Sequence, residues 1–245
     1  MSVGLPSLGI LLLAAYETAK ISVPTIVDAV QGGADPRVCD KRLFSWARHL
    51  LEQAKIRVET RGRECIEPGR SYIVMSNHQS LYDIPVMFQA LQIPVRMVAK
   101  KELFRIPVMG GGMRGAGFIE IDRQNRHAAV RSLNDARERL LADQTSLWIA
   151  PEGTRSVDGR LAEFKRGGFH LALEAGLHIL PVTIDGTLRA HRSGSNHVNK
   201  GVTVTVTVSP SIDPAAYGKQ NVRELMDEVR ARIERHLPPP VAASG

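Results

Sequence analysis

Apolar residues fill the chain from Val3 to Tyr16 before Glu17, Lys20 and Asp28 break the run. The run is shorter than the roughly 18 to 20 apolar residues that a clean bilayer crossing needs, and it lacks the basic start of a signal peptide. The pattern fits an interfacial or re-entrant helix, a tilted crossing that tolerates Glu17 and Lys20, or a core helix. Gly32, Gly33 and Pro36 separate it from a second segment, 37–56. There Leu43, Trp46, Leu50 and Leu51 recur at helical spacing, with Ala47 and Ala54 on the same face, which predicts a second helix.

From about Arg57 the pattern changes to short apolar runs alternating with helical segments, the arrangement of βα units around a largely parallel sheet. Strands are predicted at 72–75, 95–99, 117–121, 146–149, 179–184 and 202–208. The last alternates Val and Thr, so one side should be buried and the other face solvent. Helices are predicted at 81–91, 128–142, 167–175 and 222–237. In the last of these, Val222, Leu225, Val229 and Ile233 share one face and charges occupy the rest, the pattern of a packed surface helix. The fold class is therefore α/β, a mostly parallel sheet flanked by helices. Residues 1–56 are expected as an N-terminal helical membrane-associating segment, 57–237 as the α/β domain and 238–245 as a flexible tail.

With 245 residues, 43% of them hydrophobic, the chain can bury one full core and carry a short appendage. Lys and Arg outnumber Asp and Glu by 32 to 25, which favours phosphate esters, acidic lipid headgroups or nucleic acid as partners. Nucleic acid is set aside: only 5% of residues are aromatic and no recognised nucleic-acid motif occurs. Cys39 and Cys65 lie far apart without a CxxC or His-rich neighbourhood, so neither a disulfide framework nor a zinc site is indicated. A reducing, cytoplasm-facing location is the natural reading.

Candidate chemistry begins at Ser76-Asn77-His78-Gln79-Ser80-Leu81-Tyr82-Asp83, between a predicted strand and a predicted helix. On a continuous helix, side chains five residues apart point about 140° from each other, so His78 can meet Asp83 only from a turn before the helix. If they meet, Asp83 can fix the imidazole tautomer while the other ring nitrogen takes a proton from an alcohol. The pattern alone is weak, because His followed five residues later by Asp arises by chance roughly 0.36 times in such a chain. Arg123 ends the apolar run at 117–121, at the strand end where open α/β sheets bind ligands. A third segment joins Pro151-Glu152-Gly153-Thr154-Arg155-Ser156 to Phe164-Lys165-Arg166-Gly167-Gly168. Gly153 admits close backbone approach, Thr154 offers a hydroxyl, Arg155 a bidentate cation, and the helix start near Lys165 positive potential, a set suited to phosphate. Glu152 is out of place in such a site unless it orients Arg155, accepts a bond from a substrate hydroxyl or pairs with a neighbouring cation. A fourth segment, Pro181-Val182 within a buried strand, reads as core.

Taken in order, these segments resemble the lysophosphatidic acid acyltransferase family of glycerolipid acyltransferases, over about residues 57–187. His78 and Asp83 match its NHxxxxD element, and Gly117-Phe118-Ile119 with Arg123, the segment 151–156 and Pro181-Val182 match its other blocks. Ala99-Lys100-Lys101-Glu102-Leu103 and the segment 164–168 also look like that family. Ala150 stands where the family often has an aromatic residue, and the N-terminal apolar segment is shorter and more charged than the usual anchor. The resemblance implies a glycerolipid acyltransferase-like fold in which His78, oriented by Asp83, deprotonates the hydroxyl of lysophosphatidic acid. That hydroxyl would attack the thioester of acyl-CoA or acyl-carrier protein, giving phosphatidic acid for phospholipid synthesis without an acyl-enzyme. It further implies an acceptor phosphate held by Arg123, Glu152, Gly153, Thr154, Arg155 and Lys165, with Lys100 as a possible accessory, and no metal or bound cofactor. The expected partners are membrane lipid, the membrane surface and acyl-carrier protein, with the active site facing the cytoplasm. Glycerol 3-phosphate or another lysophospholipid as acceptor, and thioester hydrolysis by the same His–Asp pair, are the alternatives.

Overall fold

Seven strands hydrogen-bond in the order β1-β7-β6-β2-β5-β3-β4. They are β1 Arg57–Arg61, β2 Tyr72–Ser76, β3 Val95–Lys100, β4 Ile119–Ile121, β5 Ser146–Ile149, β6 His178–Asp185 and β7 Thr203–Val208. The run from β6 through β2, β5 and β3 to β4 is parallel, β7 is antiparallel to β6, and β1 is parallel to β7. This computed structural model describes residues 5–238 apart from 123–124, 126–131, 133–134, 136, 139 and 196. The α/β class read from the pattern holds. The helix predicted over 128–142 falls largely outside the described residues, as does the tail beyond residue 238.

The helices are α1 Leu5–Val30, α2 Pro36–Gln53, α3 Asp83–Leu91, α4 Met109–Gly115, α5 Gly167–Ala175, α6 Thr187–Ala190 and α7 Val222–Glu234. Every residue of β2 is buried. Tyr72 and Val74 enter one core layer with α2 and α3, and Ile73 and Met75 enter the other with α5 and α7. A strand covered on both faces has to be apolar throughout, which is why the continuous runs at β2, β5 and β6 were legible. β7 keeps the alternation expected of it, with Val204, Val206 and Val208 buried and Thr203 exposed. β1, Arg-Val-Glu-Thr-Arg, has no buried residue and was not predicted: it is an edge strand recognisable only by its pairing to β7.

α1 is longer than the apolar run: Glu17 and Asp28 face α2, and Lys20 pairs with Glu17 on α1 itself. Glu17 Oε2 lies 3.1 Å from His49 Nδ1, Asp28 accepts from Arg42 at 2.6 Å, and Trp46 Nε1 donates to Thr18 at 3.1 Å. Asp35 starts α2 by accepting from the Arg37 amide, with Pro36 in the first turn where its missing N–H costs nothing. Among the described residues, no helix is long and apolar enough to cross a membrane.

α4 meets α1 through glycines. A Cβ at Gly112 would sit 2.5 Å from Ser22 Cβ and 2.8 Å from its Cα, and one at Gly110 would sit 2.1 Å from the Phe104 carbonyl oxygen. The unpredicted helix α4 therefore exists at this spacing only because Met109–Gly115 is mostly glycine. Gly112→Ala should cost about 1–3 kcal/mol by forcing the two helices apart. Urea unfolding measures this, and an unchanged midpoint would mean that α1 does not pack on α4.

Candidate active site

Parallel sheets bind ligands where neighbouring strands end and the chain leaves in different directions. Here the carboxyl ends of β2, β5 and β6 lie side by side and deliver Asn77-His78, residues 150–155 and Asp185-Gly186-Thr187 to one crevice. Asn77 ties the first to the third: its Nδ2 donates to the Ile184 carbonyl and its Oδ1 accepts from the Ile184 amide, both at 2.8 Å. Trp148 Nε1 donates to Ser76 Oγ at 2.9 Å, tying β5 to β2 beneath the turn.

His78 and Asp83 do meet. Nδ1 and Oδ2 are 2.7 Å apart, and the same Oδ2 accepts from the amides of Gln79 at 2.6 Å and Ser80 at 2.9 Å. α3 begins at Asp83 and not at Leu81, so His78 stands in the preceding turn as the spacing argument required. An ionised carboxylate only accepts, so Nδ1 carries the proton and Nε2 presents a lone pair. Nε2 has no hydrogen-bond partner among the described residues. Asp83 is 0% exposed and the His78 side chain 18%, which leaves the imidazole reachable and its carboxylate sealed. The edge of the Trp148 ring stands against His78, with centroids 6.1 Å apart at 82°. A solvent-reachable base with a buried orienting carboxylate is suited to taking a proton from a hydroxyl.

The loop between β5 and α5 folds over this turn. The Ser156 amide donates to the His78 carbonyl at 2.7 Å, and the Lys165 amide closes the loop on the Pro151 carbonyl at 2.8 Å. Gly153 has φ +71°, and a Cβ there would lie 2.8 Å from Lys165 Nζ, so the ammonium rests directly on the glycine. Arg155 is half-buried and has no ion-pair partner among the described residues, and Thr154 is exposed. Glu152 is placed differently from the sequence reading. It is buried, with Oε1 accepting from the His78 amide at 3.0 Å and Oε2 from the Ala162 amide at 2.8 Å. Burial raises its pKa, opposed by the Ala162 and His78 N–H donors and by the charges of His78 and Arg230. Each oxygen accepts a backbone N–H, and Arg155 is not among its hydrogen-bond partners. Lys100 is the exposed last residue of β3, and Arg123 lies outside the described residues.

A cavity of about 1110 Å³ opens at His78 and runs between the sheet and helices α5 and α7. Met97, Trp148 and Phe164 give it apolar walls, and Lys165, Arg166 and Arg223 a cationic part. The sequence reading missed Asn77 as a tie between strands and Arg230 as a cavity residue. An amide within a buried run was a signal for the first. The second came from a helix whose charges all looked solvated.

A family model described as Acyltransferase matches residues 57–185. The 1-acyl-sn-glycerol-3-phosphate acyltransferase of Salmonella typhimurium is 35% identical over 182 residues, 74% of this chain and 73% of that protein. The mouse 1-acyl-sn-glycerol-3-phosphate acyltransferase alpha is 33% identical over 187 residues, 75% of this chain and 66% of its own. A protein of the same description from Chlamydomonas reinhardtii is 34% identical over 75% of this chain, which spans about half of that relative, 54%. Among solved structures, the 1-acyl-sn-glycerophosphate (LPA) acyltransferase of Thermotoga maritima matches with a TM-score of 0.78 and 26% identity over 94% of both chains.

Glu152 makes a pH prediction. Its folded-state pKa is raised, so ionising it weighs on the folded state, and its contribution to stability falls as pH rises from the ordinary carboxyl value through the raised one. Glu152→Gln cannot titrate and leaves one amide poorly matched, which should cost about 1–3 kcal/mol. Chemical unfolding from pH 4 to 7 should show that cost largest at the acid end and shrinking upward; a cost that grows with pH would contradict the assignment.

Proposed function

The chain belongs to the Acyltransferase family, and on that premise we propose that it transfers a fatty acyl group from a thioester carrier to the free hydroxyl of lysophosphatidic acid, giving phosphatidic acid. The observation that carries this reading is the His78–Asp83 pair on a cavity with apolar walls and a charged part, in which Lys165, Arg166, Arg223 and Arg230 stand with Glu163, Glu174 and Asp227. His78 Nε2 takes the proton from the acceptor hydroxyl as its oxygen attacks the thioester carbonyl. The C–S bond of the resulting tetrahedral species breaks, and His78 returns the proton to the leaving thiolate. Asp83 holds Nδ1–H in place and stabilises the imidazolium between these two steps.

No acyl-enzyme is invoked. Cys39 is buried, its thiol pKa is raised by that burial, and it lines a separate cavity of about 170 Å³ with Arg96 and Arg114. Ser80 Oγ is buried and engaged with the Tyr82 amide. The acceptor phosphate lies against Arg155 and Lys165, with Arg123 as a third cation and Lys100 as an accessory. Gly153 and the Thr154 hydroxyl shape the approach, and the open N–H groups at the start of α5 add positive potential. Glu152 serves this site from behind, by holding the turn that carries His78. Acyl-CoA and acyl-carrier protein present the same thioester, and either serves as donor.

The N-terminal segment attaches the enzyme to a lipid surface. With Glu17, Thr18 and Asp28 of α1 turned to α2, its outer face presents Leu12, Leu13, Tyr16, Val23, Val27 and Val30, all exposed. An apolar face of this length with no protein against it suits the headgroup–acyl boundary, and each nearby Lys or Arg adds about 1 kcal/mol on an anionic membrane.

Two measurements test these proposals. Thiol release from palmitoyl-CoA, and separately from palmitoylated acyl-carrier protein, should require lysophosphatidic acid. His78→Ala should lower it roughly 10²- to 10⁴-fold and Arg155→Ala by about one to two decades. Release indifferent to the acceptor would mean hydrolysis, and full activity in His78→Ala would overturn the mechanism. In the second, Leu12→Glu with Tyr16→Glu should leave the melting temperature unchanged and abolish sedimentation with phosphatidylglycerol vesicles. Continued sedimentation would remove α1 as the attachment.

A further inference from the structure

α7 packs on the sheet through Val222, Leu225, Val229 and Ile233, and the matched family segment ends at residue 185, well before it. Arg230, on the same helix, reaches the loop that covers the catalytic turn. Its Nη1 donates to the Ala162 carbonyl and its Nη2 to the Leu161 carbonyl, both at 2.8 Å. The guanidinium is braced by Phe164, whose ring centroid is 5.4 Å from Cζ, and by Glu234, 2.9 Å from Nε. Two adjacent carbonyls held by one planar fork leave little freedom to the chain between them.

The peptide unit joining Leu161 to Ala162 has two ends. Its carbonyl oxygen accepts from Arg230, and its N–H donates to Glu152 Oε2 at 2.8 Å. In a planar trans peptide these groups point in opposite directions, so fixing the oxygen on Arg230 aims the N–H at Glu152. A cation on the oxygen also polarises the unit and strengthens its N–H as a donor. The other oxygen of Glu152 accepts from the His78 amide at 3.0 Å. Loop residue Ser156 holds the His78 carbonyl as well, so both sides of the His78 backbone depend on this loop.

From this chain of contacts we infer that Arg230 is a positioning residue for His78, acting through the Leu161–Ala162 peptide and Glu152, so that the C-terminal helix sets the aim of the catalytic base. The inference rests on the function proposed for His78. It adds a requirement for α7 that the active-site segments alone do not carry. Arg232 supplies an internal control. It makes the same kind of contacts from the same helix, Nη1 to the Pro210 carbonyl at 2.8 Å and Nε to Glu228 at 2.6 Å, but to a segment with no hydrogen bond to residues 77–83 among the described residues.

The test is steady-state kinetics of the full-length enzyme with palmitoyl-CoA and lysophosphatidic acid, below the melting temperature of every variant. Arg230→Ala should lower kcat about 10- to 100-fold, as for a base displaced by a fraction of an ångström to an ångström, and leave both KM values within about twofold. Arg230→Lys, which can hold one carbonyl, should recover part of the loss, and Arg232→Ala should keep wild-type kcat. Glu152→Gln combined with Arg230→Ala should be little worse than Glu152→Gln alone, because the two act in one chain. If Arg230→Ala does not fold, Arg230→Gln takes its place in every comparison. Unchanged kcat, a raised KM at constant kcat, equal loss in Arg232→Ala, or multiplicative losses in the double variant would each overturn the inference. An active His78→Ala enzyme would instead overturn the function reading beneath it.

Discussion

One buried oxygen organises the turn that carries His78. Asp83 Oδ2 accepts from His78 Nδ1 and from the amides of Gln79 and Ser80, and no water reaches it. Removing an ionised carboxylate from solvent costs several kcal/mol unless donors replace the lost hydration. Two of those donors are backbone groups of residues next to the histidine, so the carboxylate can be buried only if the turn from Gln79 to Ser80 wraps around it. The imidazole then has no choice of position. The burial of Asp83 and the aim of His78 are two results of the same constraint, and the start of α3 at Asp83 follows from it.

Across the fold the charged groups are used in three ways. Asp40 with Arg96 is a closed pair that ties α2 to β3, and Glu228 with Arg232 is a closed pair within α7. Glu152 is a carboxylate whose oxygens are filled by amides from two loops, so it works as a buried clip between them. Arg155, at the same crevice, has no ion-pair partner among the described residues. A half-buried cation with no counter-charge is a standing cost to the fold. The proposed anionic headgroup would remove that cost on binding.

The sequence was most legible where burial forces a single pattern. The apolar runs of β2, β5 and β6 and the Val–Thr alternation of β7 gave strands within a residue or two of those observed. The spacing permitted the His78–Asp83 contact once a turn was placed before the helix, without requiring it. Glu152 was harder: a Glu beside Gly, Thr and Arg looks like a binding group, and nothing local reveals that its partners are amides 74 residues before it and 10 after it. β1 and α4 escaped for a related reason. One is an edge strand without a buried side chain, and the other is a glycine-rich helix whose existence depends on α1 lying against it. Arg230 shows the same limit on a helix that was otherwise read correctly, because periodicity identifies the face that packs and says nothing of what a long side chain reaches at the rim.

The breaks in the first apolar run carry more meaning in the structure than they did in the sequence. Glu17, Lys20 and Asp28 looked like interruptions that argued against a lipid environment. In the fold Glu17 and Asp28 are satisfied by His49 and Arg42 of α2, and the glycines of α4 let that helix close on α1 from another side. Polar groups turned inward and apolar groups turned outward invert the arrangement of an ordinary surface helix. The inversion is stable in water only at the expense of a wide exposed apolar face, whereas at a lipid boundary the same face is favourable. The inward charges therefore do not oppose the proposed attachment. They hold α1 to the α/β body, so that in the proposed attachment the body would lie at the same lipid surface as the proposed acceptor.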